Sequence, residues 1–448
     1  MRITEICARN LFGIFNHTVT MKLDERITII HGKNGVGKTA LLRIINSLFT
    51  LNFYELSKIY FDELKIKFDD CSYVRVNQIN QVDNIKINKN FVLNYKKQNW
   101  SEEKQFETKV LDLNTLDFSL SIIETLPQLE RISLRAWVNL DTNEILTLED
   151  VFENFGNLLP ITSNYIKKPD WLQELKDSIN IRFIESQRLL NLSTHNINPK
   201  LEQQPPMMLS VAAYANELSG LIKAKLAEYG SLSQSLDKTF PIRLVQQTNA
   251  KSLTFEELRQ KLSTLEEKRS YLISIGLLEK DNYPDFEVQE QIDDSTKQVL
   301  SIYIDDVDKK LSLFEDLAER INIFKGIINQ RFSYKQLNIN KEKGFIFNRN
   351  GSSLSPDNLS SGEQHELIML YELLFKAKPN ALILIDEPEL SLHVEWQVQF
   401  LRDLQKITKV SELDVLLATH SPDLIHDRWD LTVELKEYKN NNYSDVSA

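Results

Sequence analysis

The sequence predicts an α/β fold: a mostly parallel sheet whose two halves are separated by an α-helical, coiled-coil-like insertion, with an antiparallel β lobe beside the first half. Three observations predict it. The β-branched run RITIIHG leads directly into GKNGVGKT (32–39) and then into the helical pattern TALLRIINSLF. Far downstream, the aliphatic runs ALILIDEP (381–388) and DVLLATHSP (414–422) alternate with helical patterns, as parallel strands with crossover helices must. Between these halves, from about 195 to 330, apolar residues recur at helical spacing instead.

Each element follows from its own pattern. RITEICARNLFGIF and VTMKL read as strands before RITIIHG, and 61–68, 73–76, 84–94 and 107–112 read as short antiparallel strands. LTLEDVFENFGNLL and DWLQELKDSI are predicted helices, and INIRFIESQRLL (179–190) returns as a buried strand. In the insertion, Val211, Tyr214, Leu218, Leu221 and Tyr229 form one stripe, and Phe255, Leu258, Leu262, Leu265 and Leu272 a second, interrupted at Arg269. Thr254 and Glu257 form a capping box, with Leu253 and Leu258 as its hydrophobic staple. Val307, Leu311, Phe314, Leu317, Ile321, Phe324 and Ile328 make a third stripe, so the segment is expected to pack as a helical hairpin or small bundle. Then QLNINKEKGFIFNRNG reads as a hairpin, LSSGEQHELIMLYELLFKA as a helix and WQVQFLRDLQKI as another. The expected division is 1–194, 195–330 and 331–448.

Bulk properties narrow the function. With 448 residues, 42% of them hydrophobic and 26% charged, the chain can build a sizeable core, and only 12 Gly and 12 Pro leave no room for long low-complexity tracts. The tail KNNNYSDVSA is the exception, expected to be disordered. No signal-like apolar region opens the chain and no apolar run approaches the ~20 residues of a membrane span, so a cytoplasmic protein with no membrane partner is expected. Cys7 and Cys71 have no metal-ligand spacing and are read as buried structural thiols. A net charge of −11 argues against a nucleic-acid-coating surface, and 201–330 holds 15 Lys and Arg against 21 Asp and Glu. Direct nucleic-acid binding is possible but not indicated by charge. A helix of about 30 residues there would span only about 45 Å, too short for a long tether; protein contact is the expected use.

The chemistry sits in four short stretches. In GKNGVGKT, glycines let backbone amides turn towards a phosphate, Lys38 adds a point charge and Thr39 offers a hydroxyl to Mg²⁺. Asn34, Gly35, Val36, Gly37, Lys38, Thr39 and Ala40 are therefore candidate nucleotide-binding residues. ALILIDEP delivers Asp386 as a metal ligand at the end of a strand, and Glu387 follows as a candidate base that orients an attacking water. His420 ends the next strand, where it could bond a terminal phosphate, and Gln187 ends another, where it could reach both the metal and the water. In LSSGEQ, Ser360, Ser361, Gly362 and Glu363 open a helix whose free amides suit an anion. That helix leads into the Asp386 strand and is not expected to fold back on the phosphate held by Lys38, so a second copy of the chain is expected to supply it.

GKNGVGKT, LSSGEQ, LILIDEPELSLH and ATHSP in this order resemble the ABC-type ATPase head of the SMC, Rad50 and RecF group, over about 1–50, 179–190 and 331–430. The resemblance implies ATP and Mg²⁺ as ligands, a homodimer or higher even-numbered homo-oligomer, Asp386 and Glu387 as a Walker B pair, Ser391 and His393 in an interface-crossing loop, and His420 as a switch histidine. The short insertion and NLFGIF are more similar to bacterial antiphage ATPases such as the Septu ATPase, the PARIS ATPase and the ATPase half of the overcoming-lysogenization-defect nucleases. Fewer than thirty residues follow ATHSP, so a nuclease effector would be a separate subunit. The alternatives are a RecF- or Rad50-like clamp that holds DNA directly, and a nucleotide-binding scaffold with little turnover.

Overall fold

The computed structural model describes residues 1–83, 86–109, 123, 126, 128–133, 136–140, 145–147, 151, 169–185, 206–246, 253–280, 293–349, 351–354, 359–390 and 392–436. Contacts divide the chain into two compact units, Met1–Met207 with Lys376–Ala448, and Met208–Phe375. The cuts fall at 207/208 and 375/376, whereas the sequence divides at 194/195 and 330/331. The hairpin and the LSSGEQ helix pack with the insertion helices, because the aromatic side chains of 324–375 form one cluster: Phe324, Phe345, Tyr371 and Phe375 meet edge-on or tilted at centroid distances of 4.9–6.4 Å.

The first unit is built on a five-stranded parallel sheet in the order Ile181–Glu185, Leu382–Asp386, Asp414–Thr419, Ile27–His31, Thr432–Glu434. Its three central strands are buried almost throughout, which is why they read as unbroken aliphatic runs rather than alternating ones. A six-stranded antiparallel sheet takes Phe15–Thr20, Ile3–Leu11, Glu63–Phe68, Tyr73–Asp83, Lys86–Lys96 and Lys104–Lys109 in that order. Helix Lys38–Thr50 buries Leu41, Leu42, Ile44, Ile45, Leu48 and Phe49, more than one stripe, because it serves a single core shared with residues from both sheets.

The strand expected over 73–76 is longer than the sequence predicts, running Tyr73–Asp83. Tyr73–Asp83 pairs with Lys86–Lys96 along its whole length, down to Asp83 opposite Lys86. The distal part, NQINQVD against KINKN, is mostly polar in sequence, so the hydrophobic pattern does not reveal it, and cross-strand backbone bonding extends the pair. Ile145–Thr147 is a strand paired with Ala136–Asn139, where the sequence suggests the start of a helix; the rest of that predicted helix lies outside the described residues apart from Val151. The thiol reading is also corrected. Cys71 is exposed in a left-handed turn and Cys7 is half-buried on the outward side of its strand, opposite Thr18 and Lys65.

In the second unit, Pro206–Gln246 is one 41-residue helix, about 60 Å long and longer than expected. Leu221 of its predicted stripe is exposed. Helix Phe255–Ile275 begins with the expected capping box, Glu257 N–H donating to Thr254 Oγ1 at 3.3 Å and Thr254 N–H to Glu257 Oε2 at 2.8 Å. The third stripe is buried as expected but divides between two helices, Asp294–Ser312 and Glu315–Arg331. Hairpin Gln336–Asn340 with Gly344–Arg349 follows, then helix Ser361–Tyr371, which widens into a π-helical turn over Glu372–Lys376. No helix among the described residues is long and apolar enough to cross a membrane.

One polar contact locks the start of the first unit to its sheet. Arg2 donates from Nε to Asp414 Oδ2 at 2.7 Å and from Nη2 to Oδ1 at 2.6 Å, and Asp414's side chain is only 8% exposed. Arg2→Ala leaves that carboxylate with the longer Arg26 pair at 3.6 Å, so denaturant unfolding of the first unit should shift by about 1–3 kcal/mol; an unchanged midpoint would show the Arg2 bonds to be dispensable.

Candidate functional site

The parallel register sets the site. Glu185 lies opposite Asp386, Asp386 opposite Ala418, and Thr419 opposite His31, so all these strands end at one edge. Gly32 follows His31 there, Glu387 follows Asp386, and His420 follows Thr419. Ligands gather at this edge of an open α/β sheet because strand ends and helix N-termini meet there.

The phosphate-type loop is shaped by its glycines. Gly37, at φ 94°, caps helix Lys38–Thr50; a Cβ on it would lie 2.7 Å from Leu11 Cδ2. Gly35, at φ 85°, takes the loop through a second left-handed turn. No side chain caps the helix, so its first amides are not claimed by a cap. A cleft of about 650 Å³ opens over them, lined by Phe12, Asn34, Gly35, Gly37, Lys38, Thr39, Ala40, Glu387, Leu390 and His420. That volume is ample for a small-molecule ligand. Val36 does not line it: its side chain is buried, and its carbonyl meets His17 Nε2 at 2.7 Å.

Lys38 is the hub. Its ammonium donates to the carbonyls of Gly32 at 2.9 Å and Lys33 at 3.2 Å, and meets His420 Nδ1 at 3.2 Å, which occupies its three protons. Burial pulls its pKa down, and the carboxylates of Glu387, Asp386 and Glu389 pull it back up. His420 Nε2 lies 3.0 Å from Glu387 Oε1. Since Lys38 donates to Nδ1, the imidazole carries its proton on Nε2 and gives it to Glu387. The result is a relay from Lys38 through His420 to Glu387. Glu387 itself sits at φ 44°, a left-handed conformation held by its N–H bonding Ala418 O at 2.8 Å.

Thr39 Oγ1 donates to Asp386 Oδ1 at 3.0 Å. Burial pushes the Asp386 carboxyl up to about 6; the Thr39 bond opposes this, while Glu387 and Glu185 add to it. These oxygens suit a hard divalent cation completed by substrate phosphates, and among the described residues no group of three or more His, Cys, Asp and Glu forms a closed protein cage.

Thus Lys38, Thr39, Asp386, Glu387 and His420 converge at this edge. Gln187 and Ser391 lie outside the described residues. Ser360, Ser361, Gly362 and Glu363 belong to the second unit. Ser360 and Ser361 are exposed, but Ser360 Oγ accepts the Glu363 N–H at 3.3 Å. Glu363 is engaged too: its carboxylate accepts the Ser360 N–H at 2.6 Å and pairs with Lys335 at 2.7 Å, so it serves the cap rather than facing open solvent. His393 occupies the N-cap position of helix Val394–Ser411 in the first unit without a side-chain capping bond, its ring 5.9 Å from that of Trp396.

Three residues absent from the sequence reading belong to the site. His17 braces the loop through Val36, Glu185 pairs with Arg43 at 3.2 Å below Asp386, and Glu389 binds the strand end before His420. Glu185 closes the strand that Gln187 follows, and Glu389 extends the acidic run at Asp386; these were the signals available. Because the Asp386 pKa is raised on folding, the native state binds its proton more tightly than the unfolded chain does, and stability falls as pH rises from about 4 to 6. Asp386→Asn should therefore raise Tm at pH 8 relative to the parent protein, and the difference should vanish near pH 4, as read by thermal melts.

The profile of the AAA ATPase domain family matches residues 1–425. No curated protein matches the chain. Similar solved structures include the Smc head domain with an extended coiled coil bound to the C-terminal domain of ScpA from Pyrococcus furiosus, at 12% identity over 97% of this chain and 94% of that one, with a TM-score of 0.35. The SMC head domain from Thermotoga maritima is 10% identical over 95% and 91%, with a TM-score of 0.28. An SmcHead bound to the C-winged helix domain of ScpA is 9% identical over 95% and 91%, with a TM-score of 0.34. The family profile runs from the first antiparallel strand through the turn after His420 and so spans the whole cluster around Lys38: the chain belongs to the AAA ATPase domain family.

Proposed function

We propose that this protein is an SMC/Rad50-like ABC-type ATPase that hydrolyses ATP in the cleft around Lys38 and works as a nucleotide-driven switch between copies of itself. The observation that carries this reading is the Lys38–His420–Glu387 relay standing beside the Thr39–Asp386 pair. A phosphate chain fits the loop, whose first helical amides no side chain caps and whose Gly37 leaves no space for a Cβ. Thr39 and Asp386 would hold Mg²⁺, with Gln187 as a further candidate ligand. When bound, the ion would neutralise charge on the phosphate oxygens.

The chain's own groups then divide the work. Lys38 exchanges its bonds to the Gly32 and Lys33 carbonyls for phosphate oxygens. His420, facing both Lys38 and Glu387, registers that exchange. Glu387 accepts the proton of the attacking water. Ser360 and Ser361, exposed at a helix N-terminus, serve the nucleotide held by a facing copy, which makes closure of a homodimer or larger even-numbered assembly the output. In this reading the assembly gates a separate nuclease subunit in bacterial antiphage defence, which is consistent with the acidic insertion.

Glu387→Gln should lower turnover on the order of 10²–10⁴-fold while ATP still binds, and should leave a nucleotide-bound assembly that persists in light scattering; hydrolysis at the parent rate would remove the base assignment. Magnesium affinity should be level above neutrality and fall about tenfold per pH unit below about 6, where the cation must displace the Asp386 proton. Titration calorimetry with ATP present reads this, and a flat profile from pH 5 to 8 would remove Asp386 as a ligand. The regulatory role is tested by co-expressing the products of the adjacent reading frames: nuclease activity that responds to Lys38→Ala supports it, and nuclease activity indifferent to that substitution overturns it.

A further inference from the structure

The pair-by-pair geometry around His420 leaves one carboxylate without an assigned role. Glu389 lies in the short 3₁₀ turn Pro388–Leu390, directly after the Asp386 strand. Its Oε1 accepts two hydrogen bonds from the neighbouring strand end, from Thr419 Oγ1 at 2.6 Å and from the backbone N–H of His420 at 2.8 Å. Thr419 Oγ1 in turn accepts the Ser421 N–H at 2.9 Å. Three consecutive residues are thus tied to one carboxylate.

The turn that carries Glu389 is itself held. Gln397 Nε2 donates to the carbonyl of Glu389 at 3.3 Å and to that of Leu392 at 3.4 Å, and its Oε1 accepts from Ser421 Oγ at 3.0 Å. The loop is closed in both directions, from helix Val394–Ser411 to the turn and from the turn to the strand end. Charge-assisted bonds of this length to a backbone amide are among the stronger and more directional contacts available. Of the cleft lining, Glu389 bonds the backbone of His420, and it is through that residue that it shapes the site.

We infer that Glu389 is a positioning residue for hydrolysis: it fixes the backbone of Thr419 and His420 so that the imidazole spans Lys38 and Glu387. This rests on the hydrolytic reading above, and two readouts separate its failure from the failure of that reading. The first needs no turnover. Imidazole ¹⁵N shifts of His420, assigned by their loss in His420→Ala, report its tautomer. The parent protein should hold the proton on Nε2, and Glu389→Ala should mix the tautomers. Unchanged shifts would overturn the proposal whether or not the protein hydrolyses ATP.

The second readout is kinetic. Glu389→Ala should lower kcat about 10–100-fold with little change in KM, because the reacting groups lose alignment rather than affinity. Glu389→Gln, whose amide oxygen still accepts both bonds, should recover most of the loss. In a His420→Ala background, Glu389→Ala should cost nothing further, since the two act as one unit. Losses that multiply in the double variant, or a KM that rises in step with the fall in kcat, would overturn the proposal. Should Glu389→Ala not fold, Thr419→Val removes one arm of the clamp at nearly constant volume; it must lower kcat in the same direction and shift His420 likewise, or the inference fails. A tautomer shift in a protein that hydrolyses no ATP would sustain the positioning role and refute the hydrolytic reading.

Discussion

The ladder register of the five-stranded parallel sheet is the constraint on which the site depends. Three strands deliver residues at or just past their last ladder pair, Gly32 after His31, Asp386 with Glu387 after it, and His420 after Thr419, and the pairs Glu185 with Asp386, Asp386 with Ala418, and Thr419 with His31 set these strand ends side by side. A slip of one residue on any strand would turn its buried aliphatic side chains to the other face. The core that forbids the slip therefore also aligns Lys38, Glu387 and His420. Packing and chemistry are set by the same hydrogen bonds.

Electrostatically, the edge is a concentration of carboxylates around one buried ammonium. Asp386, Glu387 and Glu389 all act on Lys38, while burial first, and then repulsion from Glu387 and Glu185, hold Asp386 well above its ordinary range. Such a cluster is costly without cations, and it becomes favourable when a divalent ion and a phosphate chain share the charge. His420 mediates in the meantime. It accepts from Lys38 and donates to Glu387, so neither ion is left unpaired. Glu387 adds a left-handed backbone to this arrangement, a conformation kept by its bond to Ala418.

The second unit uses a different economy. Its LSSGEQ helix is closed by a reciprocal cap between Ser360 and Glu363, with Lys335 neutralising the carboxylate. The helix then carries buried polar residues, Gln364, His365 and Glu366, among apolar ones. Glu366 pairs with Arg331 inside the unit, Tyr214 bonds Glu372, and the helix widens into a π-turn at that point. Buried polar partners and a π-turn are features that stability alone does not favour, and they lie in the stretch connecting LSSGEQ to the Asp386 strand.

The sequence by itself determined the local elements and most of the residues that meet at the sheet edge. Aliphatic runs meant buried parallel strands, GKNGVGKT before TALLRIINSLF meant a phosphate loop and helix, and Thr254 with Glu257 meant a capping box; these depend on neighbours within a few residues, whose spacing a sequence displays directly. Tertiary structure alone decided the rest. The polar hairpin 73–96 lengthened because its bonds run across strands, Cys71 came to the surface in a turn, and the third apolar stripe divided between two helices. The roles of His17, Glu185 and Glu389 were equally hidden, for each acts on a partner distant in sequence: Val36, Arg43, and Thr419 with His420. Composition and periodicity carry no record of such pairings, which exist only once the strand register has brought the chain's distant segments together.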